Sequence, residues 1–162
     1  MSKIKYLIMD VDGTLTDGKI YMSAKGEEYK AFNIKDGLGI HDILIPKGIT
    51  PIIITGRESD ILIKRCNELG IQELFQNVQD KMEKLKSILQ EKQGSLNEVA
   101  YIGDDLNDII CMNKIREHGG IVGCPSNAID AVKKIAMFIS KYSGGDGAVR
   151  EFIEWLICQK LN

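Results

Sequence analysis

No stretch of this chain has the basic density that a polyanion would require. Its 21 lysines and arginines are scattered among 23 acids and the formal net charge is -2, which argues against a nucleic-acid partner. Long apolar runs are missing too. The opening MSKIKYLIMD holds only a short one before its first acid, so it reads as neither a signal peptide nor a membrane span. The expectation is a cytoplasmic protein without membrane contact. The four cysteines, Cys66, Cys111, Cys124 and Cys158, form no CxxC or Cys/His pair, which excludes a zinc site of ordinary spacing and leaves buried free thiols. His41 and His118 have no partners at metal-ligand spacing either. No repeat or low-complexity tract divides the chain.

What is present fits one globular domain, taken as 1–162: 162 residues, 44% hydrophobic and 27% charged, suffice for one core and not for two of ordinary size. Three short apolar runs, 4–9, 51–54 and 99–102, read as buried strands, and each stops at a polar cluster: DVDGT, TGR and GDD. Helical stretches are expected at 59–69, 81–92 and 107–115, with Ser59 and Asn107 as N-caps. Alternating strand and helix predicts an α/β fold on a parallel sheet. Residues 18–34, with Ile20, Met22, Tyr29 and Phe32 around a Ser23-Ala24-Lys25-Gly26 turn, predict a β-hairpin. Farther on, a strand is expected at 120–123 and helices at 128–135 and 147–160, the last capped by Asp146 and burying one face around Trp155. Gly144-Gly145-Asp146-Gly147 reads as a flexible joint.

In open parallel α/β sheets the ligand site lies beyond the carboxyl ends of the strands. The three polar clusters should therefore converge, bringing together Asp10, Asp12, Thr14, Thr55, Gly56, Arg57, Asp104, Asp105 and Asp108, with Lys81 opening the helix between the second and third. So many carboxylates repel one another unless a cation is present, and hard oxygen ligands suit Mg²⁺. Phosphoryl transfer needs a nucleophile and donors around three phosphate oxygens. Asp10 would attack phosphorus, and Asp12 would protonate the leaving alkoxide and then activate water. Thr55, the amide at Gly56 and Lys81 would hold the phosphoryl oxygens. Asp104 would complete the metal site, supported from behind by Asp105 and by Asp108, which orients the metal or pairs with Lys81. Taken singly, each element has an ordinary reading: DxDG as a turn, Lys81 as a solvated lysine, GDDLND as a helix start. Their order at the ends of apolar strands carries the chemistry.

With these residues in view the chain resembles the haloacid dehalogenase (HAD) superfamily. DVDGTLTDG is similar to its first motif, Thr55-Gly56 to its second, Lys81 to its third and GDDLND to its fourth. The resemblance implies a Rossmann-like sheet with helices on both faces, an aspartyl-phosphate on Asp10, and Mg²⁺ held by Asp10, the Asp12 carbonyl and Asp104. Neither usual cap position has room for a cap domain, so the site should be completed by a neighbouring subunit. LTDG with the hairpin, FNIKDGLGI, VAYIGDDLND and the ending GGDGAVREFIEWL are similar to the capless sugar-acid phosphatases of the 3-deoxy-D-manno-octulosonate 8-phosphate type. That branch implies a phosphorylated sugar-acid substrate, a homotetramer built through the hairpins, and a C-terminal tail, here 143–162, acting as a lid over a site. Arg57 would pair with the sugar carboxylate, and Arg150 would contact substrate from the tail. Glu68 stands where nine-carbon-acid relatives carry a basic residue. A nine-carbon or other small phosphosugar is the alternative substrate, and a non-catalytic HAD-like binding module the alternative function. A response-regulator receiver, a further alternative, fits the motif order poorly, because receivers place paired acids after the first strand and the phosphorylated Asp later.

Overall fold

The computed structural model describes residues 4–159. In chain order the elements are β1 (Tyr6–Met9), β2 (Tyr21–Ser23), β3 (Gly26–Tyr29), α1 (Ile34–Leu38), β4 (Thr50–Ile54), α2 (Asp60–Leu69), β5 (Glu73–Phe75), α3 (Lys81–Glu91), β6 (Val99–Ile102), α4 (Leu106–Glu117), β7 (Ile121–Cys124), α5 (Asp130–Ile135), β8 (Phe138–Ile139) and α6 (Ala148–Gln159). Helix α1 continues through a π turn and a 3-10 turn to Lys47.

Six strands form one parallel sheet in the order β5-β4-β1-β6-β7-β8, and β2 and β3 form the separate antiparallel hairpin. Such a sheet is apolar on both faces, which is why its strands are unbroken apolar runs rather than alternating ones. Leu7, Met9, Ile53 and Ile102 face one way, against α2, α6 and the 40–44 turn. Tyr6, Ile8, Ile52, Ile54 and Tyr101 face the other way, against α3, α4 and α5. Central β1 has Met9 level with Ile53 of β4 and Ile102 of β6. The chain reaches β4 on one side of β1 and β6 on the other, so the strand order reverses there and a crevice opens beyond those three strand ends. No helix among the described residues is long and apolar enough to cross a membrane.

The sequence expectations differ from this structure at the helix starts and in the tail. Ser59 sits at the N-cap of α2, but its side chain accepts no helix amide. The cap of α4 is Asp105 rather than Asn107, because Asp105 and Asp108 make a reciprocal capping box. Helix α6 begins at Ala148, and the amide of Asp146 turns back to the Ser143 carbonyl at 3.0 Å. The amides at its start are taken up by buried Asp36 of α1, which accepts from Gly147 and Arg150 at 3.3 and 2.8 Å. Position 160 of the expected helix lies outside the described residues.

The glycine run before α6 is a docked segment and no flexible joint. The Gly145 amide donates to the Thr14 carbonyl at 3.2 Å. The Gly144 amide donates to Asn127 Oδ1 at 2.6 Å, and Asn127 Nδ2 donates to the Gly13 carbonyl at 3.1 Å. A side chain at Gly144 would collide with the Gly13 carbonyl, so this position needs glycine for close approach. Beyond it α6 buries Val149, Phe152, Ile153 and Leu156 completely, and Trp155 packs between Phe138 and Phe152. Each such side chain removed from water is worth about 1.5–3 kcal/mol. Residues 143–159 therefore belong to the core of their own chain, and the lid expectation fails for them. Cys66, Cys111 and Cys124 are buried free thiols, as expected, and Cys158 is an exposed one.

Candidate active site

Where β1 ends, the Asp10 amide still bonds the Ile102 carbonyl at 3.1 Å, which holds this carboxylate beside the end of β6. The chain then winds into a tight loop whose amides at Thr14, Leu15 and Thr16 all converge on the Val11 carbonyl, at 3.2, 2.9 and 3.0 Å. Thr14 Oγ1 crosses from that loop to Asp104 Oδ1 at 2.9 Å.

Helix α4 brings Asp108 back beneath the loop that follows β6. Its Oδ2 accepts the amides of Asp104 and Asp105 at 3.0 and 3.3 Å. Its Oδ1 accepts Tyr101 Oη at 2.7 Å and Lys81 Nζ at 2.8 Å. Lys81 opens α3, whose first turn is capped by Asp80. Its side chain is only 2% exposed, and its ammonium also donates to Asp10 Oδ1 at 2.6 Å. One buried lysine thus bridges two buried carboxylates.

The electrostatics of this group favour a cation. Burial, reinforced by the neighbouring Asp108 charge, pushes the Asp10 carboxyl up to about 8 against the opposing pull of Lys81. Burial likewise lifts Asp104 to about 6, despite the hydrogen bond from Thr14. Burial alone would depress Lys81, but the charges of Asp10 and Asp108 outweigh it and hold the ammonium above its ordinary value. Carboxyls driven toward protonation in this way gain from a bound divalent ion. One oxygen each from Asp10, Asp104 and Asp108 lie within 4.8 Å of one another. Asp108 is committed to Lys81, Tyr101 and two amides, so the oxygens left for a metal are those of Asp10 and Asp104. This hard donor set fits Mg²⁺, which takes one or two carboxylates and fills its remaining positions with water and phosphate oxygen.

The hairpin reaches the same cleft. Lys30, just beyond β3, places Nζ 2.5 Å from Asp12 Oδ1 and 3.0 Å from Glu27 Oε1, with 3% of its side chain exposed. Arg57 lies outside these, its guanidinium 3.3 Å from Glu27 and 3.9 Å from Asp12 Oδ2. Although burial opposes it, hydrogen bonds from Ser59 and Lys30 hold the Glu27 carboxyl below its usual range. A cleft of about 350 Å³ is lined by Asp10, Asp12, Thr55, Gly56, Arg57 and Asp105, with Leu106 and Asn107 at its rim. Thr55 is buried at the end of β4, its amide on the Phe75 carbonyl at 3.0 Å.

The structure therefore gathers ten of the eleven candidate residues and leaves out Arg150. That side chain ion-pairs with Glu154 at 2.6 Å and lines a different cleft, with Lys35 and Lys141, because α6 is fastened to its own core. Sequence reasoning missed Lys30, Glu27 and Tyr101. Tyr101 had a legible signal, a polar tip in an apolar run two residues before GDD. Lys30 had none, since 18 positions and a hairpin separate it from Asp12.

A family model of haloacid dehalogenase-like hydrolases matches residues 68–153. The chain is 40% identical to the 3-deoxy-D-manno-octulosonate 8-phosphate phosphatase of Yersinia pestis over 156 residues, 96% of this chain and 81% of that one. Among solved structures, the phosphatase of that name from Moraxella catarrhalis, in complex with a magnesium ion, a phosphate ion and KDO, matches with a TM-score of 0.87 and 39% identity over 96% of this chain and 86% of that one. The cobalt-bound phosphatase from Haemophilus influenzae matches with a TM-score of 0.88 and 33% identity over 96% and 88%. Crevice, acidic cluster and sequence agree that this chain belongs to the haloacid dehalogenase-like hydrolases, in the family of the 3-deoxy-D-manno-octulosonate 8-phosphate phosphatases.

Proposed function

We propose that this chain hydrolyses the phosphomonoester of an eight-carbon sugar acid, 3-deoxy-D-manno-octulosonate 8-phosphate, to the free sugar acid and inorganic phosphate. The observation that carries the reading is the 40% identity to a phosphatase of that substrate across 96% of the chain. Asp10 is the nucleophile: its carboxylate forms a bond to phosphorus as the bond from phosphorus to the sugar oxygen breaks. Asp12 delivers its proton to that departing oxygen. In the second half it takes a proton from water as the water oxygen bonds to phosphorus and the acyl phosphate on Asp10 breaks. Thr55, the Gly56 amide and Lys81 receive the phosphoryl oxygens, and Lys81 keeps Asp10 fixed throughout. Mg²⁺, held by Asp10, the Asp12 carbonyl and Asp104, supplies charge neutralisation for the phosphoryl group. Asp108 and Asp105 fasten the Asp104 loop from behind.

Arg57, 42% exposed at the mouth of the cleft, is placed to pair with the sugar carboxylate. Assembly as a homotetramer through the hairpins is supported by Ile20, Met22 and Tyr29, which stand 49%, 68% and 62% exposed on it. The cytoplasm is the proposed location, in keeping with cysteines that are all free thiols.

Phosphate release by the purified protein with Mg²⁺ tests this, across eight- and nine-carbon keto-acid phosphates, hexose phosphates and nucleotides, with Asp10→Asn alongside. Turnover of the eight-carbon ester, abolished in Asp10→Asn, is expected. A nine-carbon or hexose preference would overturn the substrate, and silence on every ester would leave a binding module.

A further inference from the structure

Resting on that reading, we infer that Lys30 is the positioning residue of the acid/base step: a hairpin lysine that fixes which oxygen of Asp12 faces the leaving group. Asp12 is held more lightly than Asp10 or Asp108. It is part-exposed, with 21% of its side chain open to solvent, and Asp108 and Tyr101 do not touch it. Among the described residues, its one short side-chain bond is the 2.5 Å contact from Lys30 to Oδ1, while Oδ2 meets the Arg57 nitrogen at 3.9 Å. Lys30 is itself nearly sealed from water and is held from its far side by Glu27 at 3.0 Å. A lysine is costly to bury unless its partners are fixed, and here they are the acid/base and a carboxylate on the same hairpin.

With Oδ1 committed to Lys30, Oδ2 is the oxygen that carries the proton to the leaving alkoxide and later receives one from water. Without Lys30 the Asp12 carboxyl turns freely about its side-chain bonds, and the proton is seldom where the reaction needs it. Proton transfer by a placed side chain accounts for roughly 10²–10⁴-fold in rate, so loss of its alignment removes a part of that.

The two halves of the reaction separate the possibilities. An alkyl phosphate needs the proton in both halves, whereas the nitrophenolate of p-nitrophenyl phosphate departs unaided and needs Asp12 only when water attacks. For Lys30→Met the expected result is a fall of about 10–100-fold in kcat on the sugar-acid ester with KM within about threefold. On p-nitrophenyl phosphate it gives a burst of close to one nitrophenolate per chain, then slow turnover as phosphorylated Asp10 accumulates. Lys30→Arg restores most of the rate. The double variant Lys30→Met/Asp12→Asn is no slower than Asp12→Asn alone, since both remove one function; this comparison stands even if Lys30→Met lowers the folded fraction, which a thermal melt measures. A raised KM for the sugar acid with kcat intact would overturn the inference and make Lys30 a carboxylate receptor. Equal loss in both phases without a burst, or additive losses in the double variant, would make it a support of the hairpin. Failure of the phosphatase reading is distinct: the wild-type protein itself would then turn over neither ester.

Discussion

Gly13 and Asp104 come from loops 91 positions apart, yet a β-carbon on Gly13 would occupy the place of the Asp104 carboxylate. The glycine also sits at φ +99°, a left-handed backbone that a side chain strains. Gly13→Ala should therefore act on the metal site. Displacing Asp104 from its bond with Thr14 is expected to weaken the apparent Mg²⁺ affinity by about 10–100-fold. A magnesium titration of activity measures this, and an unchanged half-saturating concentration would show that Asp104 does not bind the ion.

Magnesium should stabilise the protein more at high pH than at low. Without metal, Asp10 and Asp104 protonate at about 8 and about 6 in the fold, against 3.8 for an exposed aspartate. Between those values the folded chain binds more protons than the unfolded one, so folding stability falls as pH rises. The contribution is present in full below about 3.8 and is lost by about pH 6 for Asp104 and about pH 8 for Asp10. A divalent ion holds both groups ionised and cancels the loss. Melting in EDTA should drop from pH 5 to pH 8, and the gain on adding Mg²⁺ should grow over the same range, each kcal/mol moving Tm by about 2–4 °C. A gain independent of pH would separate these two carboxylates from the metal.

Lys81→Met removes the shared partner of two buried carboxylates. Breaking one buried pair costs about 3–5 kcal/mol, and here Asp10 and Asp108 are left facing each other. The expected outcome is a large fall in Tm together with loss of at least about 10²-fold in kcat. A variant that melts like the wild type would mean the lysine is not paired in solution.

The strands and the acidic cluster were legible because they follow from chemistry local in sequence. An unbroken apolar run signals a strand buried on both faces, and the abrupt Asp10, Thr55 and Gly103 mark where three such strands surface together. Of the two roles open to Asp108 in the sequence, orienting the metal or pairing with Lys81, the structure shows the pairing. What escaped depends on contacts across the fold. The side chain that caps α6 is Asp36, 111 positions before the first amide it accepts, so Asp146 was credited with a role its own turn prevents. Gly144 reads as a hinge in sequence, whereas its lack of a side chain serves close packing on the Gly13 loop. Arg150 was placed at the site by the resemblance of the ending GGDGAVRE, and in this chain it lies on α6, paired with Glu154.

Truncation after Ser143 now has a different expected result from the one a lid predicts. It removes Val149, Phe152, Ile153 and Leu156 from the core, at a cost of roughly 6–12 kcal/mol by area bookkeeping, comparable with the whole stability of a domain of about 5–15 kcal/mol. Circular dichroism should report an unfolded or molten chain, and activity should vanish on sugar-acid and generic phosphate esters alike. A folded truncation that still cleaves small esters would restore the lid.

The proposed tetramer can be tested without disturbing the site, because the two roles proposed for the hairpin lie on different side chains. Glu27 and Lys30 pair with each other and with Arg57 and Asp12 beside the cleft, whereas Ile20 and Met22 are open to solvent. Burial of such side chains between subunits is worth about 25 cal/mol per Å² of apolar surface, and a charge placed there must be desolvated on assembly. Ile20→Glu/Met22→Glu should sediment as a monomer. The ion pair of Lys30 with Asp12 is made within one chain, so p-nitrophenyl phosphate turnover should persist in that monomer. Turnover of the sugar acid should fall if neighbouring subunits complete the cleft mouth. A variant that remains tetrameric would place the interface elsewhere on the molecule.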